Sequence, residues 1–128
     1  MEKVRNIVTR EVECMEKCAE KNVERYLCRG VKEVLCGRAL KFVSPGLCGV
    51  PDRLVLLPGG RIYFVEVKSP GKKLRVLQER ICGEIRSMGF TVLLIDSIPA
   101  ADEFIREVQR DGIQTAQVSG VLHRADCE

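Results

Sequence analysis

The sequence predicts an α/β fold in which helices flank a mixed four-stranded sheet, in the order α-β-β-β-α-β-α. Two runs of apolar and β-branched residues, Arg53 to Leu57 and Arg61 to Val67, flank Pro58-Gly59-Gly60. This arrangement is typical of a β-hairpin with a short loop. Both faces of the predicted hairpin carry apolar side chains, so helices are expected on both sides of the sheet. Segments with helical periodicity precede and follow the hairpin.

The segment before the hairpin predicts helical structure and one short strand. From Glu2 to Cys36 apolar residues recur at a helical period without proline, which favours one long helix or two helices joined near Asn22. Gly37 is the expected C-terminal stop. Ala39 to Val43 is expected to form the first strand and to end in the turn Ser44-Pro45-Gly46.

The segment after the hairpin predicts a helix and a buried strand. Apolar residues at helical spacing run from Lys72 to Met88, and Gly89 is the expected stop. Phe90 to Ile95 is entirely apolar apart from one threonine and predicts the fourth strand. A right-handed crossover would make it parallel to the strand before the helix.

The chain length fits one domain with flanking segments. A last helix is expected to begin at Ser97 or Asp96, to continue through Arg110 and to end at Asp111-Gly112. From the extent of a longer sequence pattern around the hairpin, the domain is expected at residues 20–110, with a helical extension at residues 1–19 and a tail of unknown role at 111–128.

Composition argues against several protein classes. No stretch of about 18 uncharged apolar residues occurs, and the N-terminus carries acidic residues where a signal peptide has an apolar block, so a cytoplasmic protein is expected. The seven cysteines are odd in number, form no CxxC pair and accompany a single histidine, which argues against structural zinc. A redox-responsive regulator is an alternative supported only by the number of cysteines.

Charged side chains are predicted to converge where the hairpin opens. With a three-residue loop, Leu57 lies opposite Arg61, and counting outward brings Asp52 opposite Glu66, with Cβ atoms about 4.5–5.5 Å apart. Lys68 shares their face, because strand residues two apart point the same way. Two carboxylates this close favour a bound cation, and oxygen ligands suit Mg²⁺ or Mn²⁺. A structural ion pair between Lys68 and either carboxylate is the alternative.

Positive charge is concentrated next to this site. The stretch from Lys68 to Arg80 holds five basic residues and one acid, Glu79, although the whole chain has a net charge of only +3. Such a run is commonly a solvated face, but beside a metal site it favours contact with a phosphate backbone.

A longer pattern surrounds these residues. It comprises Lys41-Phe42, Ser44-Pro45-Gly46, Gly49-Val50-Pro51-Asp52-Arg53, the Pro-Gly-Gly hairpin, Glu66-Val67-Lys68 and Gln78, and it extends over about residues 20 to 98. This pattern resembles the VRR-NUC domain of the PD-(D/E)XK, or restriction-endonuclease-like, nuclease superfamily. The resemblance implies a restriction-endonuclease-like core and a stand-alone nuclease of phage or bacterial type.

The resemblance also implies a role for each matching residue. Mg²⁺ or Mn²⁺ would be held by Glu20, Asp52, Glu66 and the backbone carbonyl of Val67. Lys68 would orient the attacking water and add positive charge, and Gln78 would help to position the water or the DNA. Glu24 and Glu16 are alternatives to Glu20, because the helix register is not fixed. The implied DNA contacts are Lys41, Ser44, Arg53, Lys72, Lys73 and Arg75.

The expected substrate is branched or duplex DNA, cut by a metal-dependent endonuclease in a bacterial or phage-infected cell. A small domain has one active site, so cutting both strands favours a homodimer that recognises a four-way junction. No membrane and no nucleotide cofactor are expected. The alternative is a catalytically idle nucleic-acid-binding module on the same fold. The intact set of Asp52, Glu66 and Lys68 argues against that alternative.

Overall fold

A computed structural model describes the backbone of residues 2–119 and the side chains of residues 13, 15, 17 and 19–112. Within residues 2–119 three helices and four strands follow the predicted order. They are α1 (Glu2–Glu33), β1 (Arg38–Lys41), β2 (Arg53–Leu57), β3 (Arg61–Val67), α2 (Val76–Ser87), β4 (Thr91–Ile95) and α3 (Ile98–Ser119). None of the helices in this part of the chain is both long and apolar enough to cross a membrane.

The four strands form one mixed sheet in the order β1-β2-β3-β4. The first three strands are antiparallel neighbours, and β4 is parallel to β3. Leu57 lies opposite Arg61 and Arg53 opposite Val65, so the predicted hairpin register is confirmed. The mixed α/β architecture with helices on both sides of the sheet is confirmed as well.

Helices α1 and α3 cover one face of the sheet and bury the main core. Val55, Val65 and Val67 are at most 1% exposed on this face, and Tyr63 meets Phe104 of α3 edge to face at 5.5 Å between ring centroids. The core also contains Val23, Leu27, Val31, Leu35, Leu57, Ile95, Ala101, Ile105 and Val108. This packing fixes the strand that carries Glu66 against two helices.

The opposite face is covered only in part. Helix α2 contacts β4 and buries Ile81, Cys82 and Val92. Further from α2, Leu40, Leu56 and Ile62 are 37–41% exposed on the same face. We call these three residues the open sheet face.

Helix α1 is a single unbroken helix, one of the two predicted possibilities, but its stop is not Gly37. Cys36 takes the positive φ of 54°, and the Gly37 amide bonds back to the Val31 carbonyl at 3.0 Å, a Schellman-type ending. Gly37 serves the sheet instead, because a Cβ there would lie 2.4 Å from the Leu56 carbonyl oxygen.

Helix α2 begins four residues later than predicted, at Val76 and not at Lys72. Gly71 has a φ of +78° and the Lys72 amide closes a turn onto the Ser69 carbonyl, so the chain is not helical there. Arg75 is extended, and the helix begins after it. The predicted stop at Gly89 is confirmed by its φ of +95°.

Helix α3 begins after Ser97, as predicted, and continues beyond its predicted end. The Ser97 hydroxyl accepts a hydrogen bond from the Ala100 amide at 3.2 Å, an N-cap. Asp111 and Gly112 do not end the helix, which continues to Ser119. A Cβ at Gly112 would lie 2.9 Å from the Arg61 guanidinium, so this glycine is explained by close packing. Residues 120–128 of the predicted tail lie outside the described residues.

Candidate active site

Backbone hydrogen bonds hold two carboxylates next to each other at the open end of the β2–β3 hairpin. The Asp52 amide donates to Glu66 Oε2 at 3.0 Å, and the Val67 amide donates to Asp52 Oδ2 at 3.3 Å. Glu66 of β3 thus accepts a backbone hydrogen bond from the residue just before β2, and Asp52 accepts one from the backbone of β3. This reciprocal pair arises from the hairpin register, which places Asp52 one position beyond the Arg53–Val65 pair.

Glu66 is the most buried charged group of the site, at 2% exposed. Burial raises the pKa of its carboxyl, and the negative charge of Asp52 raises it further. Lys68 opposes this shift, with Nζ 3.3 Å from Glu66 Oε1. The site thus holds two carboxylates and one close ammonium, so a second positive charge would stabilise the ionised pair.

Gln78 connects the carboxylate pair to helix α2. Its Oε1 accepts a hydrogen bond from the Arg75 amide at 3.0 Å, and its Nε2 donates to Glu66 Oε1 at 2.9 Å. The first bond caps the helix, because Gln78 is the third helical residue. It also orients the side-chain amide so that Nε2 faces Glu66. The predicted place of Gln78 in the first turn is confirmed, and its partner is a carboxylate of the site.

The first helix contributes an ion pair that the sequence did not indicate. Glu24 binds Arg53 through both Nε and Nη2, and their side chains are 31% and 19% exposed. Arg53, predicted to contact DNA, is thereby held by α1. No pattern in the sequence pairs two residues 29 positions apart, so only the fold reveals this contact.

The predicted third metal-binding carboxylate, Glu20, is half-buried on α1, one turn before Glu24. Among the described residues, no three acidic, histidine or cysteine side chains lie together as a ready metal site. The side chain of Glu16, the other alternative, lies outside the described residues. The role of Glu20 as a metal ligand therefore stays a prediction. Asp52 and Glu66, in contrast, lie next to each other.

A loop of residues 43–51 rises directly from the carboxylate pair. Its base is closed by the Phe42 amide, which bonds the Asp52 carbonyl at 2.8 Å. The loop contains a turn in which the Leu47 amide bonds the Ser44 carbonyl. Its far end packs on α2, because a Cβ at Gly49 would lie 3.0 Å from Leu77 Cγ. The loop therefore connects the carboxylate pair with the first turn of α2.

Most of the predicted DNA-contacting residues are accessible. Lys72, Lys73 and Arg75 are exposed between β3 and α2, beginning four residues after Lys68. Lys41 is exposed at the end of β1, whereas Ser44 is half-buried in the loop. Whether these residues contact DNA stays a prediction.

Three described cysteines carry free thiols in different surroundings. Cys82 is a buried residue of α2, Cys28 is half-buried on α1 and Cys48 is exposed in the loop. Burial raises the pKa of both the Cys82 and the Cys28 thiols, which makes a reactive thiolate less accessible at either position. The buried Cys82 serves as a small apolar core residue.

Comparison with known proteins decides the family. No family model matches the chain. A protein of Acyrthosiphon pisum secondary endosymbiont phage 1, named "Putative nuclease p44", is 45% identical over 83 residues, which are 65% of this chain and 88% of that protein. A solved structure described as a VRR-NUC domain superposes with a TM-score of 0.65 and 34% identity, over 69% of this chain and 95% of the other. The chain belongs to the VRR-NUC family. The predicted membership is confirmed, and the VRR-NUC fold accounts for the mixed sheet and the order of its elements.

Proposed function

We propose that this VRR-NUC protein is a nuclease that hydrolyses phosphodiester bonds of DNA with the help of a divalent metal ion. The observation that carries the proposal is the hydrogen-bonded pair of Asp52 and Glu66 with Lys68 beside it. The phage relative named as a nuclease, at 45% identity, supports the same activity.

The donor set fits Mg²⁺ or Mn²⁺. Oxygen ligands from two carboxylates suit these hard cations. Burial and the negative charge of Asp52 raise the pKa of Glu66, and a bound cation would oppose both effects. Asp52, Glu66 and the Val67 carbonyl would hold the ion, with Glu20 as the proposed further ligand. When bound, the ion supplies a water of lowered pKa and positive charge for the scissile phosphate.

Lys68 has a separate role in this proposal. Its side chain is 16% exposed, so it reaches the surface while its ammonium stays close to Glu66. A phosphate that enters the site offers this ammonium a second anionic partner. Lys68 would orient the attacking water and stabilise the negative charge that develops on the phosphate.

DNA would be bound by the basic residues around the site. The exposed side chains of Lys72, Lys73 and Arg75 supply charge for a phosphate backbone, whose binding depends steeply on salt. Lys41 and Ser44 would contact the strand from the other side. Arg53 would contribute only if a phosphate competes with Glu24 for its guanidinium.

We further propose a homodimer that cuts branched DNA, such as a four-way junction. The open sheet face supports self-association, because its three residues are more than a third exposed on one face of the sheet. Leu56 lies opposite Ile62, and Leu40 lies diagonally from Leu56. Ile62→Lys is expected to turn a dimer into a monomer by sedimentation velocity and to abolish paired cuts in a junction. A monomeric wild-type protein would contradict the dimer and leave a nicking activity possible.

Metal binding tests the proposal directly. Calorimetric titration with Mn²⁺ is expected to give binding that Asp52→Asn abolishes. Glu20→Gln and Glu24→Gln form a matched pair on one helix face: loss of affinity in the first alone would identify Glu20 as the further ligand. Wild-type protein that binds DNA but neither binds Mn²⁺ nor cleaves any substrate would instead establish the idle binding module.

A further inference from the structure

We propose that an apolar rim beside the carboxylates receives an unstacked nucleobase, so that the preferred substrate carries unpaired bases next to the cleaved bond. The apolar rim consists of Val43, Leu47 and Leu77. This inference rests on the proposed function and names the substrate class of the same site.

The side chains of the apolar rim are exposed to solvent. Val43 is 65% exposed, and Leu47 and Leu77 are each 47% exposed. Exposed apolar side chains scattered singly are ordinary, but a group edged by charges marks a binding surface. Here the charges are Lys72, Lys73 and Arg75 on one side and the carboxylate pair at the base.

Backbone and side-chain contacts connect the apolar rim to the carboxylate pair. Val43 and Leu47 belong to the loop that is closed by the bond from the Phe42 amide to the Asp52 carbonyl. Leu77 joins that loop through Gly49 and is the neighbour of Gln78, which bonds Glu66. In the proposal, a phosphate at the carboxylates has its flanking nucleotide next to these three side chains.

Complementarity favours DNA with accessible base faces as the occupant. A nucleotide presents a charged phosphate and a flat base with apolar faces, which match basic and apolar groups placed side by side. In a fully paired duplex these faces are stacked, and a protein must separate a base step to reach them, at a cost of a few kcal/mol per step. A substrate already unpaired at the cleavage point avoids that cost.

The test uses volume-conserving substitutions that replace apolar by polar surface. A Val43→Thr, Leu47→Asn double variant leaves the Leu77–Gly49 packing intact. The matched control is Val76→Thr. Val76 is 85% exposed and lies in the first turn of α2 with Leu77, but it is about 200° around the helix from Gln78. Substrates are one duplex sequence, fully paired or with a short internal bubble.

The double variant is expected to lose about tenfold in kcat/KM on the bubble, within the range of base-stacking contributions, and less than about twofold on the paired duplex. The control is expected to match wild type on both. Equal losses on both substrates, or none on the bubble, would overturn the proposal. A change of oligomeric state in the double variant would also overturn it, because the rim would then be a subunit contact.

Fluorescence anisotropy in chelator separates this inference from the proposed function. Wild type is expected to bind the bubble more tightly than the paired duplex, and the double variant is expected to bind both alike. If nothing is cleaved, the proposed function fails while this binding difference still tests the rim. Cleavage by wild type with no bubble preference would refute the rim alone.

Discussion

Gln78 is the residue through which helix α2 supports the carboxylate pair, and two substitutions separate its two hydrogen bonds. Gln78→Leu removes both the bond from the Arg75 amide and the bond to Glu66 Oε1. Gln78→Glu keeps an oxygen to cap the helix but has no hydrogen to donate when ionised. It also places a third carboxylate against Glu66.

The magnitudes follow from the partners. An N-terminal cap contributes about 1 kcal/mol, and a hydrogen bond to a charged group contributes about 1.5 kcal/mol or more. Gln78→Leu should therefore lower the free energy of unfolding by about 2.5 kcal/mol, or about 9 °C in melting temperature for a chain of this length. Misplacing Glu66 by losing the second bond should lower turnover about tenfold.

The assay is thermal and urea unfolding in chelator at several pH values. In Gln78→Glu the repulsion between the new carboxylate and Glu66 raises both pKa values. Its stability deficit should therefore grow as pH rises through those values and shrink in acid, where the introduced carboxyl is protonated and can donate to Glu66. The Gln78→Leu deficit should shrink less in acid, because the lost cap bond from the Arg75 amide does not depend on the ionisation of Glu66. Equal deficits for the two variants at every pH, or wild-type stability in both, would refute the role given to Gln78.

Two further predictions concern the buried carboxylate and the glycines. The raised pKa of Glu66 means that its contribution to stability is present in acid and lost as pH rises through that pKa. In urea unfolding with chelator, Glu66→Gln should therefore gain stability relative to wild type as pH rises. A stability difference that is the same at every pH would contradict the raised pKa. Gly37→Ala should destabilise by about 2 kcal/mol, because its Cβ would lie 2.4 Å from the Leu56 carbonyl oxygen. Gly83→Ala, in α2 with nothing within 4 Å, should stabilise by about 0.5–1 kcal/mol. The same sign of change for both alanine variants would argue against the packing at Gly37.

The hairpin shows what the sequence can predict. A three-residue loop and side-chain alternation are sufficient to set Leu57 opposite Arg61, and this register alone brings Asp52 to Glu66. Ser97 was likewise predictable, since a hydroxyl before a helix is a local signal. Both cases depend on residues close in sequence or on a fixed geometric period.

Other features depended on contacts between distant segments. The Glu24–Arg53 ion pair needs the crossing of α1 and β2, which no periodicity specifies. Gly112 resembles a helix stop but lies inside α3, where Arg61 packs close to it and donates to the Val108 carbonyl. The late start of α2 has a local cause instead: Gly71 has a positive φ, and Gln78 supplies the cap where the usual Ser, Thr, Asp or Asn is missing.

The most direct test of the account compares wild type with Lys68→Ala on labelled four-way-junction, flap, single-stranded and plain duplex DNA, with Mg²⁺, with Mn²⁺ and with chelator. The account predicts metal-dependent cleavage by wild type. It also predicts that Lys68→Ala lowers turnover by a factor several orders of magnitude larger than the factor by which it lowers DNA affinity. Equal losses of turnover and binding, or cleavage that persists in chelator, would contradict it.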